Sequence, residues 1–140
     1  MKALKTLIRL AKDDVDKRRK ELAEIEARQR GYIDERTKLE QELERETAAA
    51  TEFPETAITF ADYLAKNKKR REDLTRTILQ LQKTIDKKRD ELLDAFGEQK
   101  KLEISLDRKI EEARQAEIKR EQLQMDEIAG RKKGNSQVSN

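Results

Sequence analysis

Thr51-Glu52-Phe53-Pro54-Glu55-Thr56-Ala57-Ile58 is the one break in a chain whose apolar residues otherwise recur at alternating spacings of four and three. Pro54, the only proline, has no amide hydrogen and forces Phe53 out of helical geometry, so a first helix should end at about Thr51. Upstream, the run reads Leu4, Ile8, Ala11, Val15, Arg18, Leu22, Ile25, Gln29, Tyr32, Arg36, Leu39, Leu43, Glu46, Ala50. Downstream it reads Phe60, Leu64, Asn67, Arg71, Leu74, Ile78, Leu81, Ile85, Lys88, Leu92, Ala95, Gln99, Leu102, Leu106. An average period of 3.5 residues keeps such a stripe on one side of a slightly underwound helix and demands a partner helix.

The expected fold is therefore all-α: a long two-helix antiparallel coiled-coil hairpin with an overhanging C-terminal helix. A single coiled-coil domain should cover 1–133, with helix one at about 3–50, the hinge at 51–58 and helix two at about 59–130. Thr59 is the expected cap of helix two, with Asp62 three residues on. A short hinge favours the antiparallel hairpin, because both stripes are then buried within one chain. Pairing Ala50 with Phe60 would set Val15 near Ala95, Ile25 near Ile85 and Tyr32 near Ile78. A homodimeric coiled coil with an opened hinge is the competing arrangement. At the standard rise, helix one would span about 70 Å and helix two about 105 Å. Helix two would then run past the start of helix one, and that overhang still carries Ile110, Ala113, Ile118, Leu123, Met125 and Ile128. A partner surface is one reason for an apolar stripe there; a shifted hairpin register is the other.

Composition bounds the function. With 140 residues, 45% charged, 34% hydrophobic and 4% aromatic, the chain cannot build a thick globular core, and it matches the make-up of a long helix or coiled coil. There is no Cys and no His, which removes disulfides, thiol nucleophiles and the usual zinc sites. No apolar run is long enough to span a bilayer, and the basic opening Met1–Lys12 lacks the apolar centre of a secretory signal, so a cytoplasmic location is expected. No enzyme activity, cofactor, metal or small-molecule substrate is expected. Asp13-Asp14-Asp16 lacks the glycine turn and distal Glu of a calcium loop and lies between basic residues. Residues 1–20 and Lys66-Asn67-Lys68-Lys69-Arg70-Arg71 are basic, but the chain carries only +3 overall and supplies few aromatics for base stacking, which argues against nucleic acid. Gly31 and Gly97 fall inside the helices without a role of their own. Residues 134–140 read as a disordered tail behind the helix-stop chemistry of Gly130.

The opening Leu4-Lys5-Thr6-Leu7-Ile8-Arg9-Leu10-Ala11-Lys12-Asp13-Asp14-Val15-Asp16 and the closing Gln122-Leu123-Gln124-Met125-Asp126-Glu127-Ile128-Ala129-Gly130-Arg131-Lys132-Lys133 resemble FliJ-type proteins of flagellar and related type III protein export. The resemblance covers most of residues 1–133 and is sharpest at Met125-Asp126-Glu127-Ile128-Ala129. It implies a cytoplasmic, non-enzymatic coiled coil similar to the central stalk of rotary ATPases, held at the inner membrane only through partners. The paired helix ends would enter a hexameric export ATPase and promote its assembly, the hinge end would engage the cytoplasmic domain of the export gate, and export chaperones are further partners. Carried onto this chain, the ATPase-facing residues would be Leu4, Leu7, Ile8, Ile118, Leu123, Met125, Ile128, Arg131 and Lys132. The gate-facing residues would be Gln29, Ile33, Arg36, Phe60 and Tyr63, although Arg36 and Glu40 stand where some members carry tyrosines. The reading is a stalk and coupling protein. A general coiled-coil scaffold or adaptor, and a basic nucleic-acid-binding coiled coil, are the readings from other classes.

Overall fold

A computed structural model describes the backbone of residues 1–138 and the side chains of residues 1–134. It contains helix α1 (Lys2–Glu52), a single 3₁₀ turn (Pro54–Thr56) and helix α2 (Ala57–Val138), with no strand among the described residues. Phe53 leaves helical geometry at φ −123°, ψ 84°, as the following proline requires. Pro54 opens the 3₁₀ turn, where its fixed φ fits and its missing amide costs nothing. The turn closes through the Thr56 amide and hydroxyl, which both donate to the Phe53 carbonyl at 3.1 and 2.7 Å. The 3₁₀ turn runs directly into α2, so α2 begins at Ala57 and Thr59 lies inside it rather than capping it. At its other end α2 continues through Gly130 to Val138, well beyond the expected stop. The expected tail overlaps these last helical turns, and Ser139 and Asn140 lie outside the described residues.

The chain divides into two units, Asp13–Ala95 and Met1–Lys12 with α2 from Phe96 onward. In the unit Asp13–Ala95 the two helices run antiparallel from the hinge, and cross-helix bonds fix their register. Arg18 Nη1 meets Glu91 at 3.3 Å, Arg89 meets Glu26 at 3.1 Å, and Arg70 meets Glu35 at 2.7 Å. Gln29 Nε2 donates to Gln82 Oε1 at 2.8 Å and to the Ile78 carbonyl at 3.2 Å. The numbers of these bonded residues add to about 110, the register that pairing Ala50 with Phe60 implies.

Burial follows the heptad phase. Val15, Leu22, Leu74, Ile78 and Ile85 are buried along this seam, and Leu74 and Ile85 are only 1% exposed. Every other seam position from Arg18 to Ala95 is at least half-buried, except Glu46 and Leu64. The register sets those two opposite each other, and a carboxylate facing a leucine leaves neither enclosed. Asn67 is the one buried polar residue among those described, at 4% exposed. Its amide donates to the Leu39 carbonyl on α1 at 3.0 Å and to the Tyr63 hydroxyl at 3.3 Å, and its oxygen accepts from Arg71 Nε at 2.6 Å. Those bonds remove the desolvation cost that an unpartnered amide would carry.

In the other unit the first three turns of α1 bury Ile8 and half-bury Leu4 and Ala11, while Leu102 and Leu106 of α2 are half-buried. From Asp107 to Gly134 every residue is exposed.

Candidate protein-binding surfaces

The start of α1 has two faces. Ile8 turns inward at 8% exposed and Leu4 is half-buried, so both hold the helix in place. Leu7 and Leu10 point out, at 50% and 54% exposed. Of the three α1 residues expected on an ATPase-facing surface, Leu7 alone is exposed, over about half of its area. Ile8 is buried and lies beneath that surface rather than on it. Nearby on α2, Gln99 Nε2 donates to Glu103 Oε1 at 3.0 Å, and this bond, with Lys100 and Lys12, lowers the Glu103 pKa.

On exposed α2 the apolar residues do not form the single stripe expected. At 100° per residue, Met125 lies about 20° around the helix from Ile118, and Ile110 and Ile128 about 80° from it on one side. Those four share a face, and Ile118 and Met125 line one shallow surface depression with Glu121, Gln122 and Asp126. Leu123 is about 140° away and belongs to another face. It lies 21 residues, three heptads, beyond Leu102, whereas the Ile118 face departs from that phase. Ile118, Leu123, Met125 and Ile128 are all accessible, from 37% to 69%. Beyond them, Lys132 and Lys133 flank Ala129 and Gly130 on a second depression, and Arg131 is exposed. This end of α2 thus offers an outward apolar face followed by a basic end.

The residues expected to face the gate separate into two places. Gln29 and Arg36 are half-buried and committed to cross-helix bonds, Arg36 Nη1 reaching Thr75 Oγ1 at 3.3 Å, with half-buried Ile33 between them. Phe60 and Tyr63 lie at the hinge, their rings 6.4 Å apart and inclined at 29°. Tyr63 and Thr75 are twelve residues apart on α2, about 18 Å along the axis. Phe60 and Tyr63 instead share a groove of about 320 Å³ with Glu46, Ala49, Ala50, Phe53, Thr56 and Thr59. Sequence reasoning missed Phe53, Glu46 and Ala49 as members of this site. The available signal was an aromatic residue placed directly before the only proline.

No described helix is long and apolar enough to cross a membrane. Burial, register and hinge define an all-α helical hairpin. The chain belongs to the flagellar FliJ protein family, whose model matches residues 1–137. That family makes it a flagellar export-related protein. Comparison with curated proteins and with solved structures finds no match.

Proposed function

We propose that this protein is a non-enzymatic stalk and coupling component of the flagellar type III export apparatus, acting in the cytoplasm and reaching the inner membrane only through its partners. Leu7, the face of Ile118, Met125 and Ile128, Leu123 on another face of the same helix, and the basic end at Arg131 and Lys132, braced by Leu4 and Ile8, bind the hexameric export ATPase and promote its assembly. The hinge end, through Phe60 and Tyr63 with Gln29, Ile33 and Arg36 behind them, links that ATPase to the cytoplasmic domain of the export gate. Export chaperones are further partners of the same machinery. One observation carries the reading: every side chain from Asp107 to Gly134 is exposed, yet Ile110, Ile118, Met125 and Ile128 gather on one side there, with Arg114 and Glu121 among them. Solvated helices have no use for such a face, whereas a partner surface does.

Truncation after Leu106 tests this. The seam Asp13–Ala95 is retained, so cross-helix packing should survive. Stimulation of the export ATPase should be lost, and stimulation by the intact chain should fall with added salt because Arg131, Lys132 and Lys133 contribute attraction. Full stimulation by the truncated chain would refute the stalk role. No response to the intact chain would favour a general scaffold or adaptor.

A further inference from the structure

The hinge groove of about 320 Å³ is lined by aromatic and small side chains, and its surroundings are charged in one sense. Small side chains (Ala49, Ala50, Thr56 and Thr59) and aromatic ones (Phe53, Phe60 and Tyr63) line it together. Phe53 is 49% exposed although it stands at the turn, where an aromatic ring has no seam to fill. Ile58, one turn on, is 89% exposed. Two large apolar side chains are thus left to water at the tip.

The charge around the groove departs from that of the chain. Residues 40–62 carry seven Asp or Glu against one base, Arg45, although the whole chain is +3. Glu46 lines the groove itself, and Glu52 and Glu55 flank Phe53 on the exposed turn. Asp62 is paired with Lys66 at 3.2 Å, and the basic run 66–71 begins there. A cation approaching the hairpin is attracted at the tip and repelled about one turn below the groove.

We propose that the hinge groove is a docking site for a cationic amphipathic segment of another protein, one that places an apolar or aromatic side chain between Phe53, Phe60 and Tyr63 and its lysines or arginines against Glu46, Glu52 and Glu55. The groove supplies the anchor and the carboxylates supply attraction and orientation, in the division of labour that interfaces of this kind show. The basic run from Lys66 sets the direction, since it excludes the positive end from the lower part of the hairpin. The proposal rests on the reading of the hinge end as a docking surface, since Phe60 and Tyr63 belong to both, but its test uses only purified protein and a synthetic peptide, so it can fail while a gate contact stands.

The probe is a synthetic twelve-residue peptide of lysine, leucine and phenylalanine at helical spacing, with a second peptide carrying glutamate at each lysine position. Titrated into isotopically labelled full-length protein, the lysine peptide should shift amide resonances confined to residues 46–63, and the glutamate peptide should shift none. Phe53→Ala should weaken binding about tenfold or more while leaving the charge intact. Glu46→Gln with Glu52→Gln and Glu55→Gln should weaken it and flatten its salt dependence while leaving the groove intact. These positions are exposed, so the variants should fold as the parent does, which circular dichroism checks. The proposal is overturned if shifts spread over acidic residues throughout the hairpin, or if Phe53→Ala binds as the parent does. It is also overturned if sedimentation shows the groove filled by the basic first turns of a second copy of the chain.

Discussion

Replacing Ile85 by alanine should destabilise the hairpin by about 2–3 kcal/mol, the lower part of the usual range for such truncations. Ile85 is 1% exposed and sits where the register brings α1 near Ile25. The substitution removes most of a buried side chain, and the cost combines lost transfer free energy with the cavity left behind. Two helices can close over a gap more easily than a globular core can, which argues for the lower part of that range. Alanine also returns a few tenths of a kcal/mol in helix propensity. For a chain of this size a loss of 1 kcal/mol shifts the midpoint by roughly 3 °C, so the expected fall is roughly 6–9 °C.

The control is Leu79→Ala, six residues away in the same helix but 59% exposed, which should stay within about 0.5 kcal/mol of the parent. Thermal and urea melts followed by helical circular dichroism compare the two directly. Leu22→Asp, at a position 9% exposed, should cost more than Ile85→Ala because it adds an unpartnered carboxylate to the lost packing. Equal melts for Ile85→Ala and Leu79→Ala would refute the seam and with it the register.

Two further predictions concern polar and glycine positions inside the helices. Asn67→Leu should leave stability unchanged or raise it by up to about 2 kcal/mol, because an apolar side chain suits a buried seam position, but it should loosen register. Spin-label distances across the hinge half of the hairpin, narrow in the parent, should broaden; a single unchanged distance would show that Asn67 does not set the alignment. Gly31→Ala should stabilise by about 1 kcal/mol, since a Cβ there meets nothing within 4 Å and α1 gains helix propensity, as urea melts can measure.

The heptad phase was legible because a seam repeats its own evidence: each apolar position predicts the next, and burial at Val15, Leu22, Leu74, Ile78 and Ile85 follows from the same count. Pro54 marked the hinge for an equally local reason, its fixed φ and missing amide. The helix start was less legible, because Thr59 has the chemistry of a cap while a 3₁₀ turn at Pro54–Thr56 removes the need for one. Gly130 reads as a stop, yet α2 passes through it, since a glycine costs a helix about 1 kcal/mol and does not end it. Surfaces were harder still. Leu123 and Met125 are close in sequence but face different ways, and Gln29 and Arg36 fall on the seam by spacing while their bonds to Ile78, Gln82 and Thr75 on α2 could not be read from it. Asn67 could be placed on the seam from its spacing, but not its three hydrogen-bond partners, two of which lie one turn away on its own helix and one across the hairpin.

The exposed stretch of α2 poses an energetic problem that bears on how it would work. With no side chain buried from Asp107 to Gly134, its helix is supported by propensity and by local pairs such as Arg114–Glu111, Arg120–Glu117 and Gln115–Glu111. Each such pair contributes about 0.2–0.5 kcal/mol, and in proteins most helical stability comes from packing of an amphipathic face, which this stretch lacks among its described side chains. The continuous backbone of α2 spares these residues the cost of nucleating a helix anew. A partner covering the Ile118 and Met125 face would therefore stabilise the helix and bury apolar area in one step. Substitutions that raise helix propensity on the opposite, solvated face should then tighten binding without touching the partner, because less ordering remains to be done on contact. A surface already rigid before binding would show no such gain, and the distinction separates a stiff stalk from a helix completed by its partner.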